Sequence, residues 1–119
     1  MRIGTVPEQG DVVLIPVPFT DLSSQKRRPV IVVSNNIYNR TTSDIVVVAM
    51  TSKPYSSAYS FEIDSPDLIQ GKLNRPSYVR VDKVYTLAQS IVQKTFGKVH
   101  DHVLNQIRTI FQAMMAAKP

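Results

Sequence analysis

The sequence predicts a mainly β domain of the α+β class, a small antiparallel barrel with one C-terminal amphipathic helix packed on it. Three observations point there. Short runs of β-branched residues alternate with Pro, Gly, Ser and Asn over most of the chain. After Asp101 the apolar period becomes helical. The length, 119 residues, supports one modest core and not two. A single domain over 1–119 is expected. Hydrophobic residues make up 43% of the chain and charged residues 19%, so there is apolar surface to bury and the composition is not that of a disordered tail.

Gly10 and Asp11 close a polar leader, and Val12, Val13, Leu14 and Ile15 form a buried strand that Pro16 and Pro18 end, because proline cannot donate to a ladder. Residues 19–27 lack any period and read as an exposed loop. Pro29 biases Arg28 toward extended backbone, which sets the start of a second apolar strand, Val30, Ile31, Val32 and Val33. Turn formers occupy 35–44, and a third strand follows over 45–50, so strand, turn and strand predict an antiparallel hairpin. If Ser34 pairs with Ile45, counting back along the ladder sets Thr51 opposite Arg28.

Tyr59, Phe61 and Ile63 alternate with Ser60, Glu62 and Asp64, the period of a half-exposed strand. After a loop with Pro66, Gly71 and Pro76, Val79 and Val81 point one way, and Tyr78, Arg80 and Asp82 share the opposite face. Residues 91–96 are expected to form the last strand, closed by Gly97. Val103, Leu104, Ile107, Ile110, Phe111 and Met114 then make one helical stripe. The expected total is five or six strands and one helix.

Fourteen Lys and Arg against nine Asp and Glu give a net charge of +5, which favours polyanionic partners such as nucleic acid. The absence of cysteine excludes a disulfide scaffold and thiolate metal sites. The first ten residues have no apolar h-region, and the longest apolar runs stop at about six residues, well short of the roughly 20 that cross a bilayer. A soluble cytoplasmic protein is the expectation.

Walker, dinucleotide-binding and His-Glu-x-x-His patterns are missing. His100 and His102, two apart at a helix start, are expected to face different ways as solvated residues. The Asp residues are scattered and offer no clustered inner-shell site for Mg²⁺, so any chemistry is expected to need no metal or other cofactor. Lys26-Arg27-Arg28 reads equally as a solvated loop end and, with Arg28 beside the Thr51 hydroxyl, as a phosphate site. Arg80 and Asp82 read equally as an exposed ion pair worth about 0–1 kcal/mol and as functional groups.

Four blocks, Gly10-Asp11-Val12-Val13, the stretch KRRPVIVVS at 26–34 with Asn35 behind it, Met50-Thr51-Ser52, and Val79-Arg80-Val81-Asp82 followed by Thr86-Leu87, stand in one order along the chain. Together they resemble the MazF/PemK toxin family, endoribonucleases of type II toxin-antitoxin modules, over nearly the whole chain. The resemblance implies an SH3-like barrel, a homodimer, a cognate antitoxin, and sequence-specific, metal-independent cleavage of single-stranded RNA. It assigns catalysis to Arg28, Thr51, Arg80 and Asp82; RNA contact is expected at Ser23, Gln25, Lys26 and Arg27 of the first long loop and its basic end. The PemK branch has a histidine in the first long loop; residues 20–25 here have none, and Asp21 is the acidic residue there. Tyr38, Tyr55 and Tyr59 sit in or near loops where splayed bases can stack, with core packing the commoner fate of a tyrosine.

In the chemistry so implied, the ribose 2′-OH attacks the adjacent phosphate and leaves a cyclic phosphate and a free 5′-OH. Arg28 and Thr51 suit charge stabilisation on the phosphoryl oxygens. Asp82 is the candidate base with Arg80 orienting it, and the acid is unassigned. Two other readings of such a barrel stay open: a gyrase poison without catalysis, and a basic module that holds nucleic acid without cutting.

Overall fold

The computed structural model describes residues 6–16 and 27–118. Seven strands, β1 (Asp11–Pro16), β2 (Arg27–Val32), β3 (Asp44–Thr51), β4 (Ser60–Ile63), β5 (Leu68–Gln70), β6 (Ser77–Ala88) and β7 (Lys94–Val99), form one antiparallel sheet in the order β4-β6-β3-β2-β1-β7-β5. Its two edge strands, β4 and β5, are neighbours in sequence. The 3₁₀ turn Ser65–Asp67 joins them, capped at both ends of its first turn: the Asp67 carboxylate accepts the Asp64 N–H (2.8 Å) and the Asp64 carboxylate accepts the Ser65 N–H (2.7 Å). Joining the edges this way curls the sheet into a half-barrel.

The concave side collects Val12, Ile31, Val48, Val79, Val81 and Val99 from the strands, Ile63 and Leu68 from the two edges, and Val103, Leu104 and Ile107 from helix α2 (Asp101–Met114). A second cluster, Val13, Ile15, Val30, Val32, Ile45 and Val47, lies on the opposite face of β1, β2 and β3, with Leu87, Ile91 and Val92 packed against it. Burial on both faces is why these three strands read as unbroken apolar runs and not as alternation.

Four expectations are corrected. The turn at 35–44 contains a short helix, α1 (Asn36–Thr41), because a turn-forming Asn is also a good helix cap: the Asn35 side chain accepts the Tyr38 N–H (2.8 Å). The last strand runs from Lys94 through Gly97 to Val99. Gly97 is buried inside it, where a Cβ would lie 2.9 Å from the Gln70 carbonyl oxygen, so glycine admits β5 and does not close the strand. His100 precedes α2 in an extended conformation, which lets its ring stack on His102 at 5.7 Å instead of turning away. The His102 Nε2 also meets the Asp67 carboxylate at 2.7 Å, which fastens the helix start to the 3₁₀ turn. Finally, the described strands number seven against the five or six expected, because Leu68–Gln70 pairs with β7 as a short edge strand inside the stretch read as a loop.

Candidate active site

The β2–β3 register runs Val30 opposite Ala49, Ile31 opposite Val48 and Val32 opposite Val47. Continuing that count by two residues carries Arg28 to Thr51. Arg28 shares the face of Val30 and Val32, and Thr51 that of Ala49 and Val47, so both side chains emerge on the convex side. There they line one cleft of about 490 Å³, with Arg80 of β6 on the same wall. Thr51 Oγ1 accepts the Lys53 N–H (3.2 Å), which leaves the hydroxyl proton free to donate into the cleft.

Arg80 owes its place to an irregularity in the sheet. Adjacent β3 residues Val48 and Ala49 pair with Val84 and Arg80, so Val81, Asp82 and Lys83 bulge out of the ladder. Val81 turns into the core, fully buried, and its N–H donates to the Tyr59 carbonyl (3.0 Å). Asp82 is thereby folded back against Arg80, which donates through Nε to Oδ1 (3.1 Å) and through Nη2 to Oδ2 (2.7 Å). The Tyr55 ring closes the other side, 3.7 Å from the guanidinium carbon. The Arg80 hydrogen bonds hold the Asp82 carboxyl below the usual carboxylate range.

Three of the four catalytic candidates therefore meet in one cleft. Asp82 does not line it and reaches it through Arg80. Lys53 and Lys83 add two cations to the wall, and no carboxylate lines it among the described residues. Neither lysine was singled out from the sequence, although each sits within two residues of a candidate, Lys53 after Thr51 and Lys83 after Asp82. Tyr55 lines the cleft with one face occupied by Arg80. Arg27, paired with Pro16, does not line it, and neither does Tyr59, exposed just before β4. Tyr38 lies in a separate groove with Arg108 and Phe111. Asp21, Ser23, Gln25 and Lys26 lie outside the described residues. Among the described residues no three His, Asp or Glu side chains converge where a metal ion would sit.

A half-barrel with a cationic cleft where β2 begins and β3 ends has counterparts among known proteins. The family model for PemK-like, MazF-like toxins of type II toxin-antitoxin systems matches residues 8–115, and the chain belongs to that family. A solved endoribonuclease from a mycobacterial species is 25% identical, with a TM-score of 0.74 and an alignment covering 99% of this chain and 100% of that one. A mycobacterial endoribonuclease in complex with its cognate antitoxin is 23% identical over 95% of this chain and 99% of that one (TM-score 0.71). MazF from Deinococcus radiodurans is 19% identical over 94% and 98% (TM-score 0.71). No curated protein matches the chain. No helix among the described residues is long and apolar enough to cross a membrane.

Proposed function

We propose that the protein is the toxin of a type II toxin-antitoxin pair and acts as an endoribonuclease on single-stranded RNA in the cytoplasm. The carrying observation is the convergence of Arg28, Thr51 and Arg80 on one cation-lined cleft. The scissile phosphate sits between Arg28 and the Thr51 hydroxyl, whose donors meet the charge that grows on the phosphoryl oxygens. The ribose 2′-OH is the nucleophile: the P–O2′ bond forms as the P–O5′ bond breaks, the departing 5′-oxygen takes a proton from solvent water, and the products are a 2′,3′-cyclic phosphate and a 5′-OH. Asp82, ionised at neutral pH, takes the 2′-OH proton. To do so it gives up one of its two bonds to Arg80 and swings that oxygen into the cleft, and the freed Arg80 N–H turns to the phosphate. This scheme calls on no metal.

The toxin works as a homodimer. Phe111 on the last turn of α2 and Met115 at its C-cap, both exposed, supply apolar surface for pairing. An antitoxin with an acidic, extended segment silences it by competing for Arg28, Lys26 and Arg80. The likeness to an endoribonuclease solved with its cognate antitoxin supports that partner.

The test is incubation of the purified protein with a long single-stranded RNA in EDTA, with the cut ends mapped. Cleavage with 5′-OH ends that vanishes when the ribose at the cut is replaced by deoxyribose supports the reading. An absolute Mg²⁺ requirement, or cleavage of the deoxy substrate, sinks the internal-nucleophile scheme. Binding without cutting points to a basic module, and no interaction with RNA points to a non-catalytic poison.

A further inference from the structure

The open end of the half-barrel carries another cleft, of about 430 Å³, that none of these roles uses. Its floor is apolar, made by Leu14 of β1, Leu73, and Phe96 of β7. Its rim is cationic, with Lys72 and Arg75 in the loop between β5 and β6 and Lys94 at the start of β7, all exposed. No carboxylate lines this cleft among the described residues, and none of the three cations forms an ion pair there.

The basic loop is held in place. Gly71 takes a positive φ of 82° where a Cβ would collide with the Phe96 carbonyl oxygen, so the loop leaves β5 in contact with β7. Ser65 Oγ then bonds Leu73 twice, accepting its N–H (2.9 Å) and donating to its carbonyl (3.2 Å). A loop tied at both points presents Lys72 and Arg75 at fixed positions.

The two clefts come closest at the end of β3. Thr51 lines the catalytic one and Ser52 lines the other, consecutive residues with Cα atoms about 3.8 Å apart. On β1, Ile15 turns to the first cleft and Leu14 to the second, so the two clefts open on opposite faces of the sheet. A strand whose phosphate lies against Thr51 therefore enters the second cleft by rounding the end of β3 at Thr51 and Ser52.

Resting on the endoribonuclease reading, we propose that this second cleft is a subsite for the single-stranded RNA that flanks the cleaved step. Lys72, Arg75 and Lys94 neutralise its phosphates, and an unstacked base lies on Phe96 and Leu73 with its edge toward Ser52 and Asn74. Cations alone would serve an acidic peptide equally well. The aromatic floor and the amide at the rim match a nucleobase instead.

The test is fluorescence anisotropy with non-cleavable strands, deoxy at the cut, of about four and about twelve nucleotides. The wild type is compared with the Lys72→Ala, Arg75→Ala, Lys94→Ala triple variant, whose three sites are exposed and outside the core. The wild type should bind the long strand at least about tenfold more tightly than the short one, and the triple variant should lose that advantage. Its salt dependence for the long strand should also become shallower by about 2 in log Kd per log salt, since each single-strand phosphate contact contributes about 0.7. A triple variant that keeps both the length advantage and the slope overturns the subsite. So does a polyglutamate chain that competes as well as RNA of equal charge. A wild type that cuts RNA yet shows no length advantage removes the subsite alone, whereas a wild type that cuts no RNA removes the reading beneath it.

Discussion

Arg80 and Asp82 are joined by a two-armed ion pair, at 3.1 and 2.7 Å, because the bulge at Val81–Lys83 swings Asp82 back toward the cleft. Regular pairing would leave the same two side chains side by side on the strand face, free to part. Bulged, with Tyr55 stacked on the guanidinium, they form a fixed unit in which every displacement of Arg80 by a phosphate is felt by the carboxylate.

Asp82→Asn should separate the base from the brace. The amide keeps the shape and still accepts from Arg80, but it has lost the charge and the basicity. Cleavage should fall on the order of 100-fold or more with folding retained. A variant that cuts at near wild-type rate would leave Asp82 as a positioning residue and send the search to Asp21.

The pH profile follows from the direction of the Asp82 shift. Arg80 lowers the carboxyl, so it stays ionised from neutrality down past the region near pH 4 where an unperturbed carboxylate protonates. Cleavage rates should therefore show no acid limb from this group until pH falls below that region, provided the fold persists. An acid limb centred near pH 6 in the wild type that persists in Asp82→Asn would assign the base elsewhere.

Arg28→Ala should abolish cleavage while leaving the thermal midpoint nearly unchanged, since Arg28 is exposed at the mouth of β2 and packs into neither apolar cluster. Thr51→Ser, which keeps the donor, should retain activity that Thr51→Ala loses. An active Arg28→Ala enzyme would contradict the site.

Stability should have its own acid sensitivity. The Asp67 carboxyl is lowered first by the Asp64 N–H and then by His102, so its contribution is full above the unfolded value near 3.9 and lost as pH falls through the lower folded value. Asp67→Asn should cost about 1 kcal/mol at neutral pH, the size of a helix cap, and the gap to wild type should close in strong acid. Denaturant melts at the two pH values check this, and a gap that widens on acidification would refute it.

Gly97→Ala should destabilise the fold by about 1–3 kcal/mol, because its new Cβ meets backbone and not a side chain that can rotate away. A melt unchanged from wild type would mean that β5 yields freely.

Local pattern in the sequence determined the apolar strands, the terminal helix and the meeting of Arg28 with Thr51. Each depends on near neighbours or on a single antiparallel register, and the constant count from Val32–Val47 to Val30–Ala49 needs no other part of the fold. The Arg80–Asp82 fork was legible as a same-face pair. Its geometry was decided by the bulge, which exists because Val81 turns inward and bonds Tyr59 in the turn before β4, remote in sequence. The same holds for Gly97, read locally as a stop and used by β5 as an approach, and for His100 and His102, where the extended backbone before α2 overrides helical spacing. Only the curled sheet brings Lys72, Arg75 and Lys94 to one rim, since long-range pairing sets which loops meet at the open end and no short-range period encodes it.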